Sequence, residues 1–183
     1  PGKGDSAFVP MNWNRKTYLQ GKLIYRHSPF TKLKYTLIND DVSYQDYNRM
    51  YRYNPDGNLK RYRYGITQLL QLNHTFSTKT FLNAGITHFK KSYQHRTYGS
   101  NDWDQYVHPK LLNSQPYSFL TGGTDLSVFS RETSTSTFKL DLTSQWNSKN
   151  KIKLGIEFRQ HQLNFNDYSL RPPDEKASFN ELN

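Results

Sequence analysis

Residues 137–159 constrain this chain more than any other stretch, because they alternate side-chain character twice over with a turn between. Phe138, Leu140, Leu142, Ser144 and Trp146 carry no charge, whereas Thr137, Lys139, Asp141, Thr143 and Gln145 are polar. After Asn147-Ser148-Lys149-Asn150, the residues Ile152, Leu154, Ile156 and Phe158 interleave with Lys151, Lys153, Gly155, Glu157 and Arg159. Side chains point to opposite faces at successive strand positions, so this pattern predicts a hairpin with one apolar and one hydrated face. A wall between lipid and a water-filled lumen is built in this way.

Mean hydropathy of −0.94, with 34% hydrophobic residues, points superficially to a chain with little to bury. No run approaches the roughly 20 apolar residues of a membrane helix. A membrane strand escapes that test, because only every second residue meets lipid and the average is diluted. The aromatic content of 15% argues against disorder, which is poor in such residues. The sequence has no cysteine, so it has no disulfide, thiolate metal site or thiol nucleophile. The net charge of +10 is scattered singly or in pairs, as at Arg61 with Arg63 and Lys90 with Lys91, and does not form the stripe of a nucleic-acid binder. No nucleic acid is expected as a partner.

About six strands are legible, in three hairpins. The first pair covers roughly 17–27 and 32–39, joined across Ser28-Pro29-Phe30-Thr31, where proline presets a turn. The second covers 60–76 and 80 to about 92, joined at Ser77-Thr78-Lys79. In its first strand, Tyr62, Tyr64, Ile66, Gln68, Leu70, Leu72, His74 and Phe76 share one face, and Leu69 alone interrupts the polar side. The third is the hairpin described above, beginning as early as Leu126 and reaching Phe165. Short turns follow the odd strands and long segments (40–59, 93–125 and 166 onward) follow the even ones. Outer-membrane barrels make the same alternation, with short periplasmic turns and long external loops. Phe30, Phe76 and Trp146 fall beside the short turns, and Tyr62, Tyr64 and Phe158 near the opposite strand ends, where interfacial aromatics belong.

The expected fold class is therefore all-β: an antiparallel transmembrane β-barrel segment of about six long strands with short periplasmic turns and long extracellular loops. For the third hairpin, a three-residue loop allows two alignments. One sets Asp141 against Glu157 and Lys139 against Arg159, which repel. The other sets Asp141 against Arg159, Ser144 against Ile156 and Trp146 against Leu154, and is the one predicted, since opposite charges across a ladder favour pairing.

The segments Tyr117-Ser-Phe-Leu-Thr-Gly-Gly-Thr124, Phe138-Lys-Leu-Asp-Leu-Thr-Ser-Gln-Trp-Asn147 and Lys153-Leu-Gly-Ile-Glu-Phe-Arg-Gln-His161, with residues 61–89, resemble the barrel domain of TonB-dependent receptors, notably the branch with a carboxypeptidase-regulatory-like domain. The likeness extends over residues 16–170. It implies a barrel of 22 strands enclosing an N-terminal plug in the bacterial outer membrane. It also implies import of a scarce ligand, such as a metal chelate, cobalamin or a glycan, powered through the TonB complex. The implied partners are membrane lipid, the rest of the barrel and plug, the TonB complex through the N-terminal part, and a small-molecule or glycan ligand. Single-chain bacterial barrels start at eight strands, and an open sheet in lipid would leave two edges unsatisfied. Residues 1–183 are thus expected to be part of one barrel domain, with the plug and the remaining strands elsewhere in a longer chain. The start at Pro1-Gly-Lys-Gly-Asp5 carries no export signal, so either a signal was removed or this is an internal piece, and the low strand count favours the second.

No enzymatic chemistry is expected. His27, His74, His88, His95, His108 and His161 lack metal-ligand spacing. Asn101-Asp-Trp-Asp104 and Asp40-Asp41 place carboxylates in long segments but do not match a calcium loop. Asn54-Pro-Asp-Gly-Asn58 reads as the turn at the tip of a loop hairpin. Gly122-Gly123 lacks the context of a phosphate loop. No catalytic, cofactor or metal residue is assigned, no cofactor is expected, and ligand contacts are expected from the loops around 43–58 and 93–117 without individual residues being named. Two other readings share the strand pattern: a non-energised outer-membrane barrel, porin or adhesin, and a soluble antiparallel β module that binds glycans or a protein.

Overall fold

The computed structural model describes residues 9–99, 102–106, 119–120 and 122–171. Pro1 to Asp5, Asn101, His108 and parts of the segment from Tyr117 to Thr124 lie outside them. Six strands make one sheet in the order β1-β2-β3-β4-β5-β6, each antiparallel to its neighbour in sequence. They are β1 (Trp13–Ser28), β2 (Thr31–Gln45), β3 (Lys60–Ser77), β4 (Thr80–Arg96), β5 (Ser127–Gln145) and β6 (Lys151–Ser169). The sheet is open: β1 and β6 are its two edges, and the described strands do not close into a barrel. Every strand is far longer than the five or six residues usual in soluble sheets.

The three short connections have a common chemistry. Ser28 Oγ accepts from Phe30 N at 3.2 Å and Ser77 Oγ accepts from Lys79 N at 3.2 Å, and in both hairpins a serine pairs with a threonine to close the turn. One residue before each closing pair the register shifts, at 27 and at 76. In the third hairpin, Asn147 Oδ1 accepts from Lys149 N at 3.0 Å and from Asn150 N at 2.7 Å. That side chain folds a longer loop, 146–150, so that Gln145 faces Lys151. Both alignments considered from sequence are thereby corrected. Asp141 lies opposite Gly155, Ser144 opposite Ile152, and Lys139 opposite Glu157. Opposite charges do face each other, but in a register that a three-residue loop cannot reach.

The long connections are shorter than the sequence pattern predicts, because β2 and β4 continue past residues 39 and 92. Most buried side chains gather at this end rather than on the flat of the sheet: Val42, Gln45, Tyr51, Asn58, Thr97, Tyr106, Leu120, Thr124, Leu126 and Val128, with Thr143 buried near the short-turn end of β5. None of the helices in the described residues is long and apolar enough to span a membrane, which says nothing about strands. Among the described residues the helical pieces are single 3-10 turns at Arg49–Tyr51, Pro55–Gly57 and Trp103–Gln105.

Candidate functional site

Register turns the alternation of single strands into a continuous surface. Across all six strands, Leu23, Tyr35, Leu70, Ile86, Phe138 and Phe158 fall in one row. The next row toward the short turns is Tyr25, Leu33, Leu72, Ala84, Leu140 and Ile156. No polar side chain interrupts either row except the tyrosine hydroxyls. Edge strands are exposed whatever they face, so the inner strands decide the matter: Ile86 is 53% exposed and Phe138 42%. Phe30, Phe76 and Trp146 stand exposed at the short-turn border of this band.

The uncharged face that runs along β5 from Phe138 to Trp146, just past its end, spans nine residues, roughly 30 Å of strand, or about 20–25 Å of height at the usual barrel tilt. Toward the loops the same face becomes polar. Ser136, Ser134, Glu132 and Ser130 follow on β5, and Gln160, Gln162, Asn164 and Asn166 on β6, with Lys90 Nζ 2.9 Å from Glu132 Oε2. On β5 the apolar band thus has a defined height and a wet border above it, while on β2 and β3 the row nearest the short turns is held by Thr31 and His74.

The opposite face carries Lys22, Arg26, Lys32, Lys34, Asn73, Asn83, Lys139, Asp141, Lys153, Glu157 and Arg159, interrupted by Ile24, Ile38, Leu69, Phe81 and Phe89. Asn73 Nδ2 donates to Asn83 Oδ1 at 2.6 Å, Lys139 Nζ lies 3.5 Å from Asp141 Oδ2, and Arg159 pairs with Glu157. Near the loops this face changes. Arg63, Tyr93, Arg131 and Phe165 form one row, with Tyr44, His95 and Phe129 beside it. The His95 and Phe129 rings stack at 5.2 Å, and Arg63 lies 5.5 Å from the Tyr44 ring centre.

The two long connections pack on each other. Asn54 Nδ2 donates to Gly123 O at 2.6 Å, Leu120 N to Met50 O at 2.8 Å and Asp125 N to Gly57 O at 2.8 Å. Thr97 Oγ1 donates to Asp125 O at 2.8 Å, and the Tyr53 and Phe119 rings meet edge to face at 5.2 Å. Gly57 and Asn58 are buried beneath this contact. The segment from Asn54 to Asn58 is therefore a clasp tucked under the second connection, which corrects the expectation of a loop tip. Gly123 takes φ 85°, a left-handed conformation that suits glycine and aims its carbonyl at Asn54. Burial, and then the charge of Asp125, push the Tyr51 hydroxyl up to about 12. Burial and Asp56 raise Tyr98 in the same direction.

Candidate ligands named from sequence are dispersed. Asp40 and Asp41 point to opposite faces of β2, with the Asp40 carboxylate over Gly65. Among the described residues no three or more His, Asp or Glu side chains are grouped to hold a metal. Three histidines instead bond across strands to hydroxyls: His74 to Thr31 at 2.8 Å, His88 to Ser136 at 3.0 Å and His161 to Thr135 at 3.0 Å. The clasp and the Arg63 row had no sequence signal of their own, because both join residues far apart in the chain through pairing register. The sequence matches no protein-family model, and no curated protein is significantly similar to it.

Proposed function

We propose that these six strands are part of the wall of an outer-membrane β-barrel, with the apolar band against lipid and the other face toward an aqueous interior. The two uninterrupted apolar rows on half-exposed inner strands carry this reading. A soluble sheet would cover such a surface, since exposed apolar patches of that extent mark an interaction with protein or membrane. Two open edges in lipid would leave backbone groups unpaired at several kcal/mol each, so further strands flank β1 and β6 in the assembled wall. Strands of 15 to 19 residues exceed the 9–11 that cross a bilayer, and their loop-side ends rise beyond it with a polar outer face.

Within this class we favour a TonB-dependent importer of a scarce ligand. The stretches that resemble that family, 61–89, 138–147 and 153–161, fall on β3, β4, β5 and β6 with matching inward and outward faces, and the packed connections make a firm external platform. These 183 residues hold no cysteine, so only cysteines elsewhere in the full-length protein need replacing before the test. Single cysteines at positions 140 and 156 of the full-length protein in outer membranes should resist a membrane-impermeant maleimide, while those at 139 and 157 react. Equal labelling of the two parities would refute the wall. Ligand uptake that persists in cells lacking the inner-membrane energy transducer would leave a passive barrel instead.

A further inference from the structure

We propose that the loop-side stretch of the polar face binds a ring-bearing organic anion with two acidic groups, laid across the strands. The row Arg63, Tyr93, Arg131 and Phe165 alternates cation and ring over four adjacent strands. Neighbouring strands lie about 4.8 Å apart, so the backbones of Arg63 and Arg131 are roughly 10 Å apart with Tyr93 between them, and the Arg63 guanidinium leans over Tyr44. Single carboxylates do not span that distance. A rigid molecule with a flat core and an acid at either end does.

The neighbouring cations favour an anion, with two carboxylates also on this face, Asp40 over Gly65 in the Lys91 row and Asp167 opposite Phe129. One row toward the short turns, Lys91 and Thr133 stand beside Leu163, and with Tyr93, Arg131 and His161 they line an open cavity of about 430 Å³. This is within the usual range of small-molecule sites. Arg61 on the far side is already neutralised by Asp46 at 2.7 Å, and Lys90, on the other face, by Glu132. Arg131 and Lys91 have no such carboxylate among the described residues, and Arg131 stands over no ring there. Guanidinium groups bind carboxylates with two parallel hydrogen bonds, and aromatic faces hold the ring between them. Phe165 closes the row on β6, its ring meeting that of Phe129 edge to face at 5.4 Å.

This inference rests on the barrel reading only for placing that face in a lumen. Binding is measured by calorimetry on detergent-solubilised full-length protein. The probes are biphenyl-4,4′-dicarboxylate, biphenyl-4-carboxylate, trigalacturonate and neutral galactotriose. At least one di- or tri-anion should bind tenfold or more tightly than its mono-anionic or neutral counterpart. Arg131→Gln should remove that preference, Arg131→Lys should keep part of it, and Phe165→Ala should weaken binding several-fold. Preference for the biphenyl identifies an aromatic acid, and preference for the uronate an acidic sugar chain; either supports the site. Equal affinity in Arg131→Gln, no binding of any probe at millimolar concentration, or tighter binding of a thymidine oligonucleotide would overturn it. Cysteine labelling at 139, 140, 156 and 157 reads other positions, so the wall and the site can fail separately.

Discussion

Asn54 and Gly123 are 69 residues apart in sequence and joined by a hydrogen bond of 2.6 Å from a side-chain amide to a left-handed glycine's carbonyl. This bond ties the β2–β3 connection to the β4–β5 connection. The bonds of Leu120 N to Met50 O and Asp125 N to Gly57 O flank it. Asn54→Ala leaves the Gly123 carbonyl without that donor, at a cost of about 1–3 kcal/mol. Hydrogen exchange of the Leu120 and Asp125 amides should quicken about tenfold or more, while amides in the middle of β3 and β4 stay unchanged. Uniform change across the sheet would mean that the clasp is not a separate unit.

Gly57 belongs to the same clasp for a steric reason. A Cβ there would collide with the Gly123 carbonyl and the Asn54 amide, whereas one on Gly122 meets nothing within 4 Å. Gly57→Ala should therefore destabilise the platform by about 1–3 kcal/mol, the usual cost of overpacking. Gly122→Ala should be near neutral. Limited proteolysis of the two connections distinguishes them: the first variant should be cut much faster, and the second at the rate of the parent.

Tyr51 makes the platform sensitive to alkali. Its hydroxyl titrates at about 12 in the folded protein against 10.0 ordinarily, through burial first and the Asp125 charge second. A raised acid holds its proton more firmly folded than unfolded, so its contribution to stability is complete below pH 10. It is lost as the pH climbs through about 12. The connections should loosen across that interval, followed by phenolate absorbance and amide exchange. Tyr51→Phe should flatten this part of the profile without shifting the melting of the parent at neutral pH by much.

Cysteine cross-linking tests the third hairpin directly. Ser144 faces Ile152, and directly opposed positions have Cβ atoms close enough for a disulfide, whereas positions four residues removed do not. Ser144→Cys with Ile152→Cys should oxidise readily, and Ser144→Cys with Ile156→Cys should not. Asn147→Ala, which removes the acceptor of two turn amides, should slow the first cross-link by freeing the loop.

That hairpin also shows what the linear sequence can carry. Period-two alternation located every strand and assigned Leu140, Leu142, Leu154 and Ile156 to one face, because parity follows from local geometry alone. The pairing of Lys139 with Glu157 was out of reach, since it depends on one side chain, Asn147, choosing a five-residue loop. The end of β2 was under-read for a related reason: Gln45 is held by its amide's hydrogen bond to Pro55 O in the connection, which a strand read alone does not record. The clasp of Asn54 on Gly123 and the row from Arg63 to Phe165 are products of register summed over several strands, and a single strand has no record of them.

Ile86 and Thr87 are adjacent on an inner strand and face opposite ways, which makes them the sharpest pair for testing the wall. Ile86 lies between Leu70 and Phe138 in the fully apolar row, and Thr87 lies between Leu69 and Thr137 on the polar face. A lysine on the lipid side near mid-depth costs a barrel about 2–4 kcal/mol, while a lumenal substitution of the same kind leaves insertion largely intact. Ile86→Lys in the full-length protein should lower folded yield in lipid vesicles and shift the urea midpoint downward, and Thr87→Lys should do neither. A soluble sheet whose Ile86 face is solvated would respond to the two lysines alike. One covered by a second protein layer would unfold with Ile86→Lys in the absence of lipid as well, so repeating the measurement with and without vesicles separates bilayer from protein as the neighbour of that face.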